Sequence, residues 1–159
     1  DGGHQSYFDL RPDFAYFEAQ VNLLLPNANA KAIKIKNLVL PQTRLVVDPN
    51  HLSIVVRNLL QNAIKFTNRG GEIHISSFED ISRVCLRIQD TGIGIKPEQL
   101  TQVFQIKNNT ISEGTAPEQS TGLGLVLVKE FVEANGGTVE IDSHINKGTT
   151  FTLGFKKVL

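Results

Sequence analysis

The sequence is poor in several residue types, and each shortage excludes a class of protein. It has a single cysteine, Cys85, so a disulfide within the chain is impossible, and the alternating apolar stretch around it predicts a small buried side chain. Basic and acidic residues are equal in number, 16 each, and the basic ones are scattered rather than gathered into the stripe of a nucleic-acid-binding protein. No apolar run approaches the roughly 20 residues that a membrane-spanning helix needs. We therefore expect a chain that neither binds nucleic acid nor inserts into a membrane.

The length and composition fit one soluble domain with a sizeable core. The chain has 159 residues, of which 40% are hydrophobic and 20% charged. It lacks methionine, and its start, Asp1-Gly2-Gly3-His4, resembles an expression scar or an arbitrary cut. We expect residues 1–9 to be a tag or linker remnant and residues 10–159 to form one domain cut from a longer protein.

Hydrophobic periodicity and turn signals predict four helical segments and six strands. In chain order these are a helix over 11–29, strands over 32–36 and 44–48, a helix over 49–67, strands over 72–78 and 83–89, a short helix over 97–104, an apolar helix ending at 135, and strands over 138–143 and 149–155. The first two strands are predicted to pair as an antiparallel hairpin around Pro41-Gln42-Thr43. Residues 105–120 lack periodicity and form a long loop, which is typical of a functional or disordered segment. The fold class is α+β, a two-layer sandwich with a mixed, mostly antiparallel sheet and helices on one face.

The helix over 49–67 carries an unusual row of polar groups. Asn58 and Asn62 are four residues apart, so both carboxamides lie on one helix face, with Lys65 and Phe66 following on the same side. An oxygen ligand, a cation and an aromatic ring suit a metal, a phosphate chain and a flat base. The alternative is a surface helix with ordinary polar residues.

Two glycine-bearing stretches add to this row. Asp90 ends a predicted strand, and Gly92 and Gly94 follow it, so a buried carboxylate could accept a hydrogen bond from a ligand while the backbone approaches closely. The alternative is a turn cap. Gly122 and Gly124 precede the apolar helix, whose first N–H groups could bind phosphate, or could simply be capped by Ser120 or Thr121. The spacing is not that of a P-loop or of a dinucleotide fingerprint.

Together these stretches resemble a known family. Asn58 to Thr67, Asp90 to Ile95, Val103-Phe104, Thr121 to Leu125 and Gly148-Thr149-Thr150-Phe151 occur in the order and spacing of the ATP-binding catalytic domain of bacterial sensor histidine kinases, within the Bergerat-fold ATPase superfamily. The resemblance covers about residues 10–157. It implies ATP and Mg²⁺ as cofactors and a mobile ATP lid over about 105–120.

The resemblance also implies a role for each matching residue. At the metal and phosphates, the resemblance makes Asn62 the Mg²⁺ ligand, Asn58 a support for the phosphates and the metal, and Lys65 a phosphate contact. At the base, Phe66 lies over the adenine and Asp90 recognises it, with Gly92 and Gly94 beside the base. The phosphate-side helix start is formed by Thr121, Gly122, Leu123, Gly124 and Leu125, and Lys107 is a lid candidate for the γ-phosphate. Asn58, Lys65 and Lys107 are the expected catalytic residues. For Thr150 an approach to the adenine pocket and a plain strand position are both open, and we favour the strand.

Asn58 distinguishes between branches of this superfamily. ATP-hydrolysing members carry a glutamate four residues before the metal-binding asparagine, and an amide cannot replace that general base. The resemblance therefore implies transfer of the γ-phosphoryl group to a histidine on a separate dimerisation/phosphoacceptor domain, with a response regulator downstream. The chain's own histidines (His4, His51, His74 and His144) lack the context of a phosphoacceptor. We expect a cytoplasmic domain of a membrane-attached parent. Two alternatives stay open, a nucleotide-sensing or scaffold domain and an anti-sigma-factor-like serine kinase.

Overall fold

The computed structural model describes residues 8–10, 14–41, 45–105 and 124–157. Its elements in chain order are β1 (Phe8–Leu10), α1 (Phe14–Ala30), β2 (Lys34–Leu38), β3 (Leu45–Val47), α2 (Pro49–Phe66), β4 (Glu72–Glu79), β5 (Arg83–Asp90), α3 (Pro97–Leu100), α4 (Gly124–Ala134), β6 (Thr138–His144) and β7 (Gly148–Lys156). The predicted helices and strands are all present, with ends that differ by a few residues. Strand β1 was not predicted, and the domain boundary at residue 10 stays a prediction.

Five strands form the main sheet, in the order β2-β4-β5-β7-β6. Only β2 and β4 run parallel, and the other three pairs are antiparallel. Helices α1, α2 and α4 pack on the sheet side that carries Ile75, Leu86 and Leu153, and all three of these residues are buried. The predicted fold class, a mixed and mostly antiparallel sheet with helices, is confirmed.

The predicted hairpin between β2 and β3 is wrong. Strand β2 instead pairs parallel with β4, with Lys34 opposite Glu72, while β3 pairs antiparallel with β1, with Leu45 opposite Leu10. Parallel neighbours need a long crossover, and here the chain between β2 and β4 contains α2. Residues 42 and 43 of the predicted turn lie outside the described part of the chain. A turn signal is local and carries no information about a strand partner that is distant in sequence.

The core lies between the sheet and the helices and is organised around α2. This helix buries one apolar face, whose residues recur at helical spacing. The buried residues of the helix are Leu52, Val55, Val56, Leu59, Leu60, Ala63 and Ile64. Cys85 is fully buried, as predicted, and burial raises the pKa of its thiol. Because its apolar face is fixed against the core, α2 holds its polar face at a defined position beside α4.

Candidate functional site

Helix α2 has a fixed start. Asp48 caps it, with its side chain accepting hydrogen bonds from the backbone N–H groups of Asn50 at 2.8 Å and His51 at 3.3 Å. Asn135, just beyond α4, accepts the N–H of Asp48 at 2.9 Å through its side-chain oxygen, and its amide nitrogen lies 3.0 Å from Nδ1 of His51. The amide nitrogen also donates to the carbonyl of Phe131 at 2.7 Å. Asn135 therefore joins the end of α4 to the beginning of α2.

Asn58 lies where α2 meets the start of α4. Its Nδ2 donates to the carbonyl of Ile54 at 2.8 Å, within its own helix. The Oδ1 atom consequently points away from the helix backbone and is the nearest atom to the position of a Cβ on Gly124, at 3.0 Å. The structure thus brings together two predicted site residues, Asn58 from α2 and Gly124 from α4. A half-buried amide oxygen beside a helix start is an acceptor for a metal ion, a bound water or an N–H group.

The polar row continues to the end of α2. Asn62 lies one turn after Asn58 and is half-buried, and the ammonium group of Lys65 lies 5.2 Å from the centroid of the Phe66 ring. Lys31, after α1, donates to the carbonyls of Ile64 at 2.7 Å and Lys65 at 3.1 Å. These bonds satisfy carbonyl groups that a helix end leaves without partners in the helix, and they place a positive charge where the helix dipole favours it.

Asp90 stands at the end of β5 and is 6% exposed. Its Oδ1 accepts the N–H groups of Gly92 at 2.8 Å and Thr149 at 3.2 Å. Among the described residues no hydrogen bond to Oδ2 is seen, so this atom can accept one from a ligand. Burial raises the pKa of Asp90 to about 6, and the two N–H groups act in the opposite direction.

The two glycines after Asp90 allow close packing of protein backbone. A Cβ on Gly92 would collide with the carbonyl oxygen of Phe66, and a Cβ on Gly94, which has φ +77°, would collide with the carbonyl oxygen of His144. The backbone N–H of Ile93 also donates to the Phe66 carbonyl at 3.0 Å. Residues 92–94 therefore lie against both the end of α2 and the turn between β6 and β7. A position of these glycines beside a base stays a prediction.

The hairpin of β6 and β7 contributes residues to this site that the sequence did not single out. Gly148, with φ +121°, packs so closely on the backbone of Asp90 that a Cβ would collide with its carbonyl oxygen. Thr149 supplies the N–H for Asp90, and Ser143 accepts the N–H of Ile95 at 2.8 Å. Strand alternation could have revealed Thr149, because it lies on the same face as buried Phe151. Thr150 lies in a strand, opposite Gln89 and on the other face, as favoured.

Several predicted residues lie outside the described part of the chain. These are Lys107, Thr121, Gly122 and Leu123, together with residues 106–120 of the predicted lid. Gly124 and Leu125 begin α4, next to Asn58 as described above. Before the gap, Val103 is buried and the Phe104 ring lies edge-on to that of Phe151, with 6.5 Å between their centroids.

The donor set fits one kind of metal ion better than others. Within the described ranges, no three His, Cys, Asp or Glu side chains form a group that could hold a metal. The candidate ligands are the amide oxygens of Asn58 and Asn62. Mg²⁺ prefers oxygen ligands, and it is usually held by few protein groups together with waters and substrate phosphates. The residues present therefore fit Mg²⁺ that is carried in with a phosphate chain.

Known proteins share this fold and part of this sequence. The family model described as histidine kinase-, DNA gyrase B-, and HSP90-like ATPase matches residues 47–159. Sensor protein SrrB of Staphylococcus aureus (strain NCTC 8325 / PS 47) is 40% identical over 110 residues, which are 69% of this chain and 19% of that protein. The mycobacterial sensor histidine kinase MprB superposes with a TM-score of 0.74 at 25% identity, covering 88% of this chain and 94% of that one. Full-length ShkA in complex with AMPPNP superposes with a TM-score of 0.80 at 24% identity, covering 100% and 33%.

The chain therefore belongs to the family of histidine kinase-, DNA gyrase B- and HSP90-like ATPases. The resemblance to the catalytic domain of sensor histidine kinases is confirmed. The chain spans about a fifth of the length of the S. aureus relative. Of the helices that the structure describes, none is both long enough and apolar enough to cross a membrane.

Proposed function

We propose that this domain binds Mg-ATP and transfers the γ-phosphoryl group to a histidine on a separate dimerisation/phosphoacceptor domain of its parent, from which a response regulator receives it. The observation that carries the proposal is the position of Asn58. Its amide oxygen adjoins the start of α4, where ATP-hydrolysing relatives are expected to hold a carboxylate for water activation. An amide is not a general base, so this site has no group there to activate water and suits an external nucleophile.

Different residues of the site bind the base, the phosphates and the metal ion. Oδ2 of Asp90 accepts a hydrogen bond from the exocyclic amine of adenine, and Phe66 packs on the base. Lys65, Asn58 and the start of α4 at Gly124 face the phosphates. When bound, Mg²⁺ neutralises phosphate charge, and Asn62 is the residue that holds it. ShkA, to which this chain is similar in fold, was solved in complex with AMPPNP, which supports a nucleotide in this site.

Phosphoryl transfer needs little chemistry from side chains. The reaction depends mainly on alignment of the attacking and leaving atoms and on stabilisation of the charge on the transferred group. Here Asp90 and the fixed segment after it hold the base end, while α2 and α4 hold the phosphate end. The γ-phosphoryl group is thereby presented to a histidine that arrives from another domain. Lys107 is proposed as the lid cation for this group. We place the domain in the cytoplasm and its parent at a membrane.

A transfer assay tests the proposal. The chain is mixed with the parent's phosphoacceptor domain, MgCl₂ and ATP labelled at the γ-phosphate. We expect an acid-labile, alkali-stable label on the partner domain, as phosphohistidine gives. Asn62→Ala should abolish labelling, whereas Gln61→Ala, at the exposed neighbouring position of the same helix, should leave it unchanged. An acid-stable label would instead indicate a serine kinase. Binding of ATP without any transfer would indicate a sensing or scaffold domain.

A further inference from the structure

Two hydroxyl groups hold together the ends of the segment that follows β5. Ser143 on β6 lies directly opposite Thr149 on β7, and their side-chain oxygens are 2.7 Å apart. Both residues are buried, with 9% and 6% of their surface exposed. A hydrogen bond between two buried hydroxyl groups in adjacent strands fixes the position of both side chains.

Each hydroxyl-bearing residue also binds one end of the segment Asp90–Ile95. Ser143 Oγ accepts the N–H of Ile95 at 2.8 Å, and the N–H of Thr149 donates to Oδ1 of Asp90 at 3.2 Å. Between these ends, the N–H of Asn146 donates to the carbonyl of Ile93 at 2.8 Å. The segment is therefore hydrogen-bonded at its start, middle and end to the hairpin that β6 and β7 form.

The hydroxyl of Ser143 takes part in more hydrogen bonds here than that of Thr149. Its oxygen receives the Ile95 N–H, and its own hydrogen has two acceptors within reach, Thr149 Oγ1 at 2.7 Å and the Gly148 carbonyl at 3.3 Å. Removing this hydroxyl would leave the Ile95 N–H without its acceptor and would release Thr149 from its neighbour. Leaving a buried polar group unpaired is costly, so the local structure would rearrange.

We propose that Ser143 is a positioning residue for recognition of the base. It acts through Thr149 and Ile95, which fix the position of the Asp90 carboxylate relative to the rest of the segment Asp90–Ile95. This inference rests on the proposed function, since it concerns the base end of the same nucleotide site. Ser143 lies on the sheet, and Asn58, Asn62 and Lys65 lie on α2, so its loss should affect the base and spare the phosphate chain.

The test compares two ligands by calorimetric titration in the presence of Mg²⁺, namely ATP and inorganic tripolyphosphate. For Ser143→Ala we expect the Kd for ATP to rise by about tenfold, consistent with loss of a buried hydrogen bond, and the Kd for tripolyphosphate to change by less than about twofold. Thr150→Ala is the matched control, because Thr150 follows Thr149 on β7 but faces the opposite side of the sheet with Gln89 and Asp142. It should change neither Kd.

A double-mutant cycle separates positioning from general stability. Thr149→Val keeps the shape and the backbone N–H but removes the partner hydroxyl. Because the two hydroxyls act as a pair, the double variant Ser143→Ala, Thr149→Val should have an affinity for ATP that is little lower than that of either single variant. Should Ser143→Ala fail to fold, Thr149→Val by itself carries the comparison of the two ligands.

The outcomes are distinguishable. Equal loss of affinity for ATP and tripolyphosphate, or no loss for either, would overturn the role of Ser143 while leaving the proposed function intact. Failure of the unmodified chain to bind ATP would overturn the proposed function and this inference with it.

Discussion

The side-chain oxygen of Asn58 lies 3.0 Å from the position that a Cβ on Gly124 would occupy. This relationship joins the two helices that we propose to form the phosphate end of the site. The amide nitrogen of Asn58 is held by the Ile54 carbonyl, so its oxygen cannot turn away without breaking a hydrogen bond of 2.8 Å. A Cβ on Gly124 would be crowded against this oxygen, and glycine leaves the space between the two helices open.

A methyl group at position 124 should therefore lower the affinity for Mg-ATP while leaving the free energy of unfolding almost unchanged. Alanine favours a helix over glycine by about 1 kcal/mol, which offsets the crowding against Asn58. We expect Gly124→Ala to change the free energy of unfolding by less than about 1 kcal/mol but to lower the affinity for Mg-ATP by about tenfold, because the methyl group covers the Asn58 oxygen. Calorimetric titration and urea unfolding measure the two effects. Glu130→Ala, exposed on the same helix, should alter neither, and an unchanged Mg-ATP affinity for Gly124→Ala would contradict the role of this contact.

The buried carboxylate of Asp90 should make the empty domain less stable at neutral pH. Its pKa in the fold is raised to about 6, above the ordinary value of 3.8 for this carboxyl, so the folded state binds this proton more tightly than the unfolded state does. The stabilisation is complete below about pH 4 and is lost as the pH rises through about 6. A difference of about two pKa units corresponds to about 3 kcal/mol.

Asp90→Asn should accordingly raise stability while impairing function. The amide keeps an oxygen for the N–H groups of Gly92 and Thr149 but carries no charge. We expect urea unfolding at pH 7.5 to show a gain of up to about 3 kcal/mol, and the gain should disappear near pH 4. A variant that is less stable than the unmodified chain at pH 7.5 would show that the carboxylate is not strained by burial.

Binding of adenine nucleotide should depend on the ionisation of the same residue. Protonation of Asp90 removes part of its capacity as an acceptor for the exocyclic amine of adenine. Because phosphates also titrate in this range, the informative quantity is the ratio of the ATP affinities of the unmodified chain and Asp90→Asn. This ratio should fall as the pH decreases through about 6. A ratio that is constant between pH 5 and pH 8 (about one unit or more on either side of the pKa) would contradict the assignment.

Asn135 should be important for stability because it connects two helices. Asn135→Ala leaves the Asp48 N–H without its acceptor and removes the contact with His51. We expect a loss of about 1–3 kcal/mol in the free energy of unfolding. The exposed neighbour Glu133→Ala serves as the control and should change it by less than about 0.5 kcal/mol. An equally small effect for both variants would mean that the link between α4 and α2 contributes little.

Much of this architecture could be predicted because its signals are local. The buried face of α2 follows from the spacing of Leu52, Val56 and Leu59 along the helix. The alternating pattern of a strand ends at Asp90, and the glycines at 92 and 94 that follow indicate a tight turn. These features depend on neighbours that are close in sequence.

The features that the sequence did not reveal all depend on distant partners. The parallel pairing of β2 with β4 and the strand β1 beside β3 depend on contacts across tens of residues, to which hydrophobic periodicity is insensitive. Ser143 was missed for the same reason. A serine in a strand carries no distinguishing pattern, and its importance appears only when Ile95 and Thr149 are placed against it.

We propose that one pocket, between the polar face of α2 and the segment after β5, holds ATP through Mg²⁺ on Asn62. The most direct measurement is calorimetric titration of the unmodified chain and of Asn62→Ala with ATP, each with and without MgCl₂. We predict that Mg²⁺ strengthens ATP binding by the unmodified chain and that Asn62→Ala abolishes this strengthening while leaving the fold intact. The same Mg-ATP affinity for both proteins would contradict the account.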